Sequence, residues 1–236
     1  MLKISRENLI ILVLLILLVI EVINNGCFKA KQTFTHGLPL SNKVIIIDAG
    51  HGGKDEGTSG KLKKTEKVIN LEVTLKLQKY LEQSGAYVIL TRADSSGLHD
   101  EGARNKKMSD LSKRKDIINN SYADIMLSIH QNNFSEAKYN GSQVFYKSNC
   151  EESKKIAKHI QTEMKYILNK NNNRVEKENK EYYLFKNSKI PNVLIECGFL
   201  SNQSEEIKLN DDEYQENIAW AIYKGVLLYY NNFQKK

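Results

Sequence analysis

Residues 45–57 read IIIDAGHGGKDEG. With Val44 ahead of it, the β-branched run Val44–Ile47 suits a strand buried on both faces, as in a sheet covered by helices on either side. The run stops at Asp48, and His51 then stands among Gly50, Gly52 and Gly53. His51 is either an incidental imidazole in a tight strand-to-helix turn or a side chain that the strand aims at something. The fold class rests on whether helices and strands alternate downstream.

They do alternate. Ile69, Val73, Leu77 and Leu81 recur every four residues and predict a helix over 66–83, with Gly85 as its stop. Strands are predicted at 87–90, 124–129, 142–146 and 193–196, the one at 142–146 antiparallel or at an edge. Helices are predicted at 111–120, around Ile156, Ile160, Met164 and Leu168, and at 214–230. The stretch 169–180 (NKNNNRVEKENK) reads as a solvent loop, with a docking or gating surface as the other reading. This order predicts an α/β fold: a single-domain three-layer sandwich with a mostly parallel twisted sheet flanked by helices. Sites in such sheets lie at the carboxyl ends of the strands.

At 236 residues the chain has room for one well-packed domain. A net charge of +7 favours acidic partners such as nucleic acid, anionic lipid or wall polymer. The cations are interspersed with acids and form no compact nucleic-acid motif, so no nucleic-acid partner is expected. Three cysteines, Cys27, Cys150 and Cys197, are too few and too scattered for a disulfide framework. Cys197 lies in an apolar run and reads as a small core residue.

At the N-terminus Lys3 and Arg6 precede the apolar run Leu9–Ile20, the pattern of an export signal. Twelve apolar residues are short for a membrane span. Cys27 follows Gly26 as in a lipoprotein signal, but Asn24 and Asn25 fit that pattern poorly. The expected organisation is a signal peptide or N-terminal membrane anchor over 1–27, a linker over 28–42 and a folded domain over 43–232. Membrane contact is expected only through the N-terminal segment.

Several predicted strands run into chemistry-bearing residues: the first into Asp48 and His51, another into His130 within LSIHQNN, a third into Glu196 within VLIECGF. Glu66 opens the first long helix, with Asn70 one turn later on the same side. Each alone has a plainer reading. His130 would serve as a hydrogen-bonded turn residue, and Glu66 as a favourable charge at a helix N-terminus. Glu196 is harder to dismiss, because a carboxylate inside an apolar strand is costly unless it is paired or functional. Together, two histidines and a carboxylate with an open position would make a catalytic zinc site, and a further glutamate could act as base. The chain contains no HExxH, GxxxxGK[ST] or GxSxG motif.

DAGHGGKDEG, Glu66 with Asn70, LTR (90–92), Arg114 ahead of ADIMLSIHQN, and PNVLIECGFLSN (191–202) together resemble the zinc-dependent N-acetylmuramoyl-L-alanine amidases of the Amidase_3 type. The resemblance covers about residues 43–230, and the single-domain layout is most similar to the spore-cortex, germination-specific amidases. It implies one Zn2+ per chain held by His51, Glu66 and His130, with Glu196 as the catalytic carboxylate. Asp48 is expected to orient His51, and Asn70, Arg92 and Arg114 to support the site. Asn132 and Asn202 are expected to hydrogen-bond the substrate. Departures from the family are Ala49 where proline is common and Cys197 where an aliphatic residue is common; Cys197 beside the base would make activity sensitive to oxidation.

The implied substrate is peptidoglycan, cut between N-acetylmuramic acid and L-alanine, with stem peptides removed ahead of muramic-δ-lactam formation. The implied location is outside the membrane, secreted or anchored at the wall, including the forespore intermembrane space. Because Glu66 opens a helix, zinc is expected to bind weakly until a partner protein or substrate orders it. A zinc peptidase acting within the stem peptide and a non-catalytic wall-binding scaffold are the alternatives.

Overall fold

β1 (Val44–Ala49) lies second from one edge of a six-stranded sheet, with β2 (Tyr87–Leu90) at that edge and β3 (Ile125–Asn132) on its other side, both parallel to it. β6 (Asn192–Phe199) continues the parallel run beyond β3. β4 (Gln143–Lys147) pairs antiparallel with β6, and β5 (Lys177–Asn179) closes the far edge parallel to β4. The computed structural model describes residues 37–233 together with Leu12, Leu15 and Ile16. The remainder of the expected signal or anchor, and residues 28–36 of the expected linker, lie outside the described residues. No helix among the described residues is long and apolar enough to cross a membrane.

Two layers of helix cover the sheet. α1 (Glu66–Gln83), α3 (Glu151–Leu168) and α6 (Asp212–Phe233) pack over the face that carries Ile45, Ile47, Leu127, Ile129, Val193 and Ile195. The four-residue repeat of α1 does the burying, since Ile69, Val73, Leu77 and Leu81 are all fully enclosed. Each such side chain contributes roughly 1.5–3 kcal/mol relative to exposure. α2 (Lys106–Asn120) and α4 (Tyr183–Asn187) cover the other face over a smaller core of Ile46, Met126, Ile118, Leu184, Phe185 and Leu194. α5 (Gln203–Leu209) follows β6. The expected three-layer α/β sandwich is the architecture observed.

Strand periodicity decides what stands where. Successive residues face opposite sides, so Asp48, Ser128, His130 and Glu196 alternate with core residues and share the α2/α4 face at its carboxyl edge. Parallel register sets Asp48 beside Ser128, and His130 beside Glu196.

Two expectations need correction. Packing starts before residue 43: Leu40 is fully buried and its N–H bonds the Ser84 carbonyl at 2.8 Å, so residues 37–42 belong to the domain. The stretch 169–180 contains β5, whose backbone pairs with β4 and anchors it to the sheet edge.

Candidate metal centre

His51 has a φ of 63°. In that left-handed region a residue with a Cβ is disfavoured by roughly 1–2 kcal/mol, so something must hold the loop. Two arginines and an asparagine do so through three successive carbonyls. The Ala49 carbonyl accepts from Arg92 Nε and Arg114 Nη1, both at 2.8 Å. The Gly50 carbonyl accepts from Arg92 Nη2 at 2.9 Å and Asn70 Nδ2 at 3.2 Å. The His51 carbonyl accepts from Arg114 Nη2 at 2.5 Å.

Arg114 is buried, and its charge is met by Asp48 Oδ1 at 2.6 Å and Asp110 Oδ1 at 2.5 Å. Burial alone would raise the Asp48 carboxyl. The Arg114 charge and hydrogen bonds from Ser128 and Arg114 reverse that and bring it down to about 2.

The clamped loop delivers the His51 ring to Glu66. Glu66 Oε1 lies 3.2 Å from His51 Nε2 and 2.9 Å from His130 Nδ1, and it accepts from the Gln131 N–H at 3.1 Å. Glu66 Oε2 accepts from the Thr58 N–H at 3.1 Å. One donor atom from each of His51, Glu66 and His130 falls within 4.8 Å of the others. Burial would raise the Glu66 carboxyl, but hydrogen bonds and charge from His130 and His51 hold it well below the usual carboxylate range. Glu66 is thus already pinned at both oxygens.

These residues fit a metal. Two imidazoles and one carboxylate converging on a point, with the remaining side open, is the donor set of a catalytic zinc site. The open side is a cleft of about 420 Å3 lined by all three residues together with Thr58, Asn132, Asn133 and Glu196. Glycines keep the donors close. A Cβ at Gly50 would overlap the His130 ring, and one at Gly57, where φ is 67°, would sit 2.5 Å from Glu66 Oε2. Glu196 Oε2 is buried without a hydrogen-bond partner among the described residues. Burial, opposed by the His130 charge and assisted by Glu66, lifts the Glu196 carboxyl to about 7. A carboxylate so placed can both take and give a proton near neutral pH.

Some expected roles move. Asp48 does not touch the His51 ring. Its two oxygens are taken by Arg114, Thr91 and Ser128. Asp55, four residues after His51, supplies the carboxylate beside that ring, 3.0 Å from Nδ1 but oblique to the ring N–H, so it acts more as a neighbouring charge than as an aligned hydrogen bond. Asn202 caps α5, accepting from the Ser204 and Glu205 N–H groups and donating to the Ala137 carbonyl, so its amide is committed to structure. Cys197 points into the large core on the opposite face from Glu196, because neighbours in a strand face opposite ways. Arg92, Arg114 and Asn70 are loop clamps. Asn132 lines the cleft.

The profile of the Amidase_3 family, described as N-acetylmuramoyl-L-alanine amidase, matches residues 45–227, which spans the sheet and every residue of the metal centre. The chain belongs to that family. The amidase is 40% identical over 222 residues to the germination-specific N-acetylmuramoyl-L-alanine amidase of Bacillus subtilis, covering 93% of this chain and 91% of that one. Among solved structures it is similar to the CwlD amidase of Clostridioides difficile, solved in complex with the GerS lipoprotein. The TM-score is 0.79 at 49% identity, over 81% of this chain and all of that one. It is also similar to an N-acetylmuramoyl-L-alanine amidase of Clostridium difficile 630, with a TM-score of 0.70 at 32% identity over 80% and 97% of the two chains. The amidase is a cell-wall enzyme whose substrate is peptidoglycan.

Proposed function

We propose that this amidase uses one Zn2+, held by His51, Glu66 and His130, to hydrolyse the amide between N-acetylmuramic acid and L-alanine in spore cortex. The observation that carries the reading is the convergence of the three donor atoms in one cleft with the unpaired Glu196 Oε2. When bound, zinc supplies a Lewis acid that polarises the scissile carbonyl and acidifies the attacking water.

The chain's own residues do the rest. Glu196 Oε2 accepts the proton of the attacking water and returns it to the departing alanine nitrogen, which needs it to leave. Its buried oxygen has no hydrogen-bond partner among the described residues, which leaves it free for both transfers. The cleft wall of Thr58, Asn132 and Asn133 offers polar groups to the substrate along its open side. The Arg92–Arg114 clamp holds the His51 loop so that little reorganisation accompanies the reaction.

The cortex assignment rests on the germination-specific relative, which is matched over nearly its whole length. Removal of the stem peptide exposes the lactyl carboxyl, the group that later closes the muramic lactam. Peptidoglycan lies outside the membrane, which agrees with residues 1–27 acting as an export signal or anchor ahead of the catalytic domain. The solved relative in complex with a lipoprotein supports a partner protein of that kind.

Digestion of purified wall with zinc-loaded domain tests the reaction. The expected products are peptides with a free L-alanine amino terminus and glycan carrying unsubstituted muramic acid. New amino termini only inside the stem peptide would identify a peptidase instead.

A further inference from the structure

The metal centre opens onto a second cleft. It has a volume of about 250 Å3 and is walled by Leu111 of α2 and by Tyr182 and Tyr183 at the start of α4. Its lining shares His51, Asp55, Lys107 and His130 with the larger cleft of 420 Å3, so the two meet at the histidines. An amide bond placed at that junction sends its acyl side into one cleft and its amine side into the other. The larger cleft offers the side-chain amides of Gln131, Asn132 and Asn133, which suit sugar hydroxyls and acetamido groups. The smaller offers two aromatic rings and a leucine, which suit a short peptide.

Lys107 is the single Lys or Arg in the wall of the larger cleft. In the smaller one its companion cation, Arg114, is buried and committed to Asp48 and Asp110. Lys107 is exposed and enters no ion pair among the described residues, although its charge is felt at Asp55. The acids around it are engaged elsewhere. Asp55 lies beside the His51 ring and accepts from the Gly57 N–H, Asp110 holds Arg114 and the Leu98 N–H, and Glu181 pairs with Lys186 at 2.7 Å. Nor does Lys107 steady its own helix. It is the second residue of α2, whose first turn contains no acid, and a cation there opposes the helix dipole.

We propose that the smaller cleft receives the stem peptide and that Lys107 is a specificity-determining residue, pairing with the free α-carboxylate of the second stem residue. The inference rests on the amide cleavage proposed above. In the stem peptide L-alanine is followed by a glutamate that continues the chain through its side-chain carboxyl, which leaves its α-carboxyl as an anion. That anion is carried on the next Cα, about 3.8 Å from the Cα of the alanine whose nitrogen departs. It therefore stays close to the junction of the clefts, where Lys107 stands. Asp55 and Glu181 line the same cleft and repel an unpaired anion. The lysine thus decides whether the carboxylate is accepted or rejected.

The test compares glycan oligomers whose stem peptides differ only in an α-carboxylate or an α-carboxamide on the second residue, with release of L-alanine amino termini as the readout. Zinc-loaded wild type should favour the carboxylate in kcat/KM by roughly tenfold, the scale of a charge-assisted hydrogen bond. In Lys107→Ala that preference should vanish, in Lys107→Glu it should turn toward the carboxamide, and Lys107→Arg should keep most of it. A wild type with no preference overturns the proposal. So does an equal loss on both substrates in Lys107→Ala with the preference kept, because a lysine that merely shapes the metal site affects both alike. Cleavage of neither substrate by wild type, or cleavage only inside the peptide, removes the proposed reaction itself and the subsite with it.

Discussion

The two histidines reach the same carboxylate by opposite means. His130 is on a strand, and its place follows from the parallel register that sets it opposite Glu196 of β6. His51 lies beyond the end of its strand in a left-handed backbone conformation and stays there because two buried arginines and Asn70 hold three successive carbonyls. Regular structure places a ligand with few specific contacts, whereas a strained loop needs polar groups that must themselves be satisfied. Asp48 clamps the His51 loop through Arg114, and its other oxygen accepts from Ser128 Oγ of the strand that carries His130.

Breaking the clamp should have the largest effect. Arg114→Ala leaves Asp48 buried without its partner, and losing one member of a buried pair costs about 3–5 kcal/mol. At about 2–4 °C per kcal/mol for a domain of this size, the melting temperature should drop by roughly 6–20 °C in a thermal scan. Gly50→Ala sharpens the comparison from the other side, because the added methyl overlaps the His130 ring directly. Zinc affinity should fall by about a hundredfold, near 2.7 kcal/mol, with a smaller change in melting temperature.

Glu196 stands beside His130 in the parallel register, and burial governs its charge. Its folded carboxyl is raised to about 7 from an ordinary 4.5. Stability is therefore full below 4.5, falls as pH rises toward 7, and stays reduced above it. Glu196→Gln, which carries no charge to bury, should stabilise the metal-free domain at pH 8 by on the order of 2 kcal/mol and change little at pH 4. Melting curves in chelator at the two pH values check the sign. Asn202→Ala gives the smallest effect, loss of a helix cap worth about 1 kcal/mol, with KM for peptidoglycan unchanged because the side chain faces α5.

Much of the site was legible because its carriers have strong patterns. Apolar runs that end in Asp48, His130 and Glu196 mark β1, β3 and β6, and the four-residue repeat marks α1 behind Glu66. Parallel strands then bring those ends to one edge. What was not legible depends on geometry that spacing along the chain does not encode. β5 is three polar residues, Lys-Glu-Asn, with no apolar alternation. Asp48 is near His51 in sequence, but strand alternation turns it under the sheet, while Asp55 comes back to the ring. Asn202 did carry a readable signal: an asparagine followed three residues later by Glu205 at the start of a helix is cap spacing.

The most direct measurement is release of amino-terminal L-alanine from purified peptidoglycan by Glu196→Gln, compared with wild type at equal, measured zinc content. With His51, Glu66 and His130 holding the metal and Glu196 moving the proton, the variant should bind one zinc per chain and release L-alanine termini at least a hundredfold more slowly, the scale of general acid–base catalysis. Release at the wild-type rate with zinc bound would contradict the assignment of Glu196, and with it the proposed mechanism.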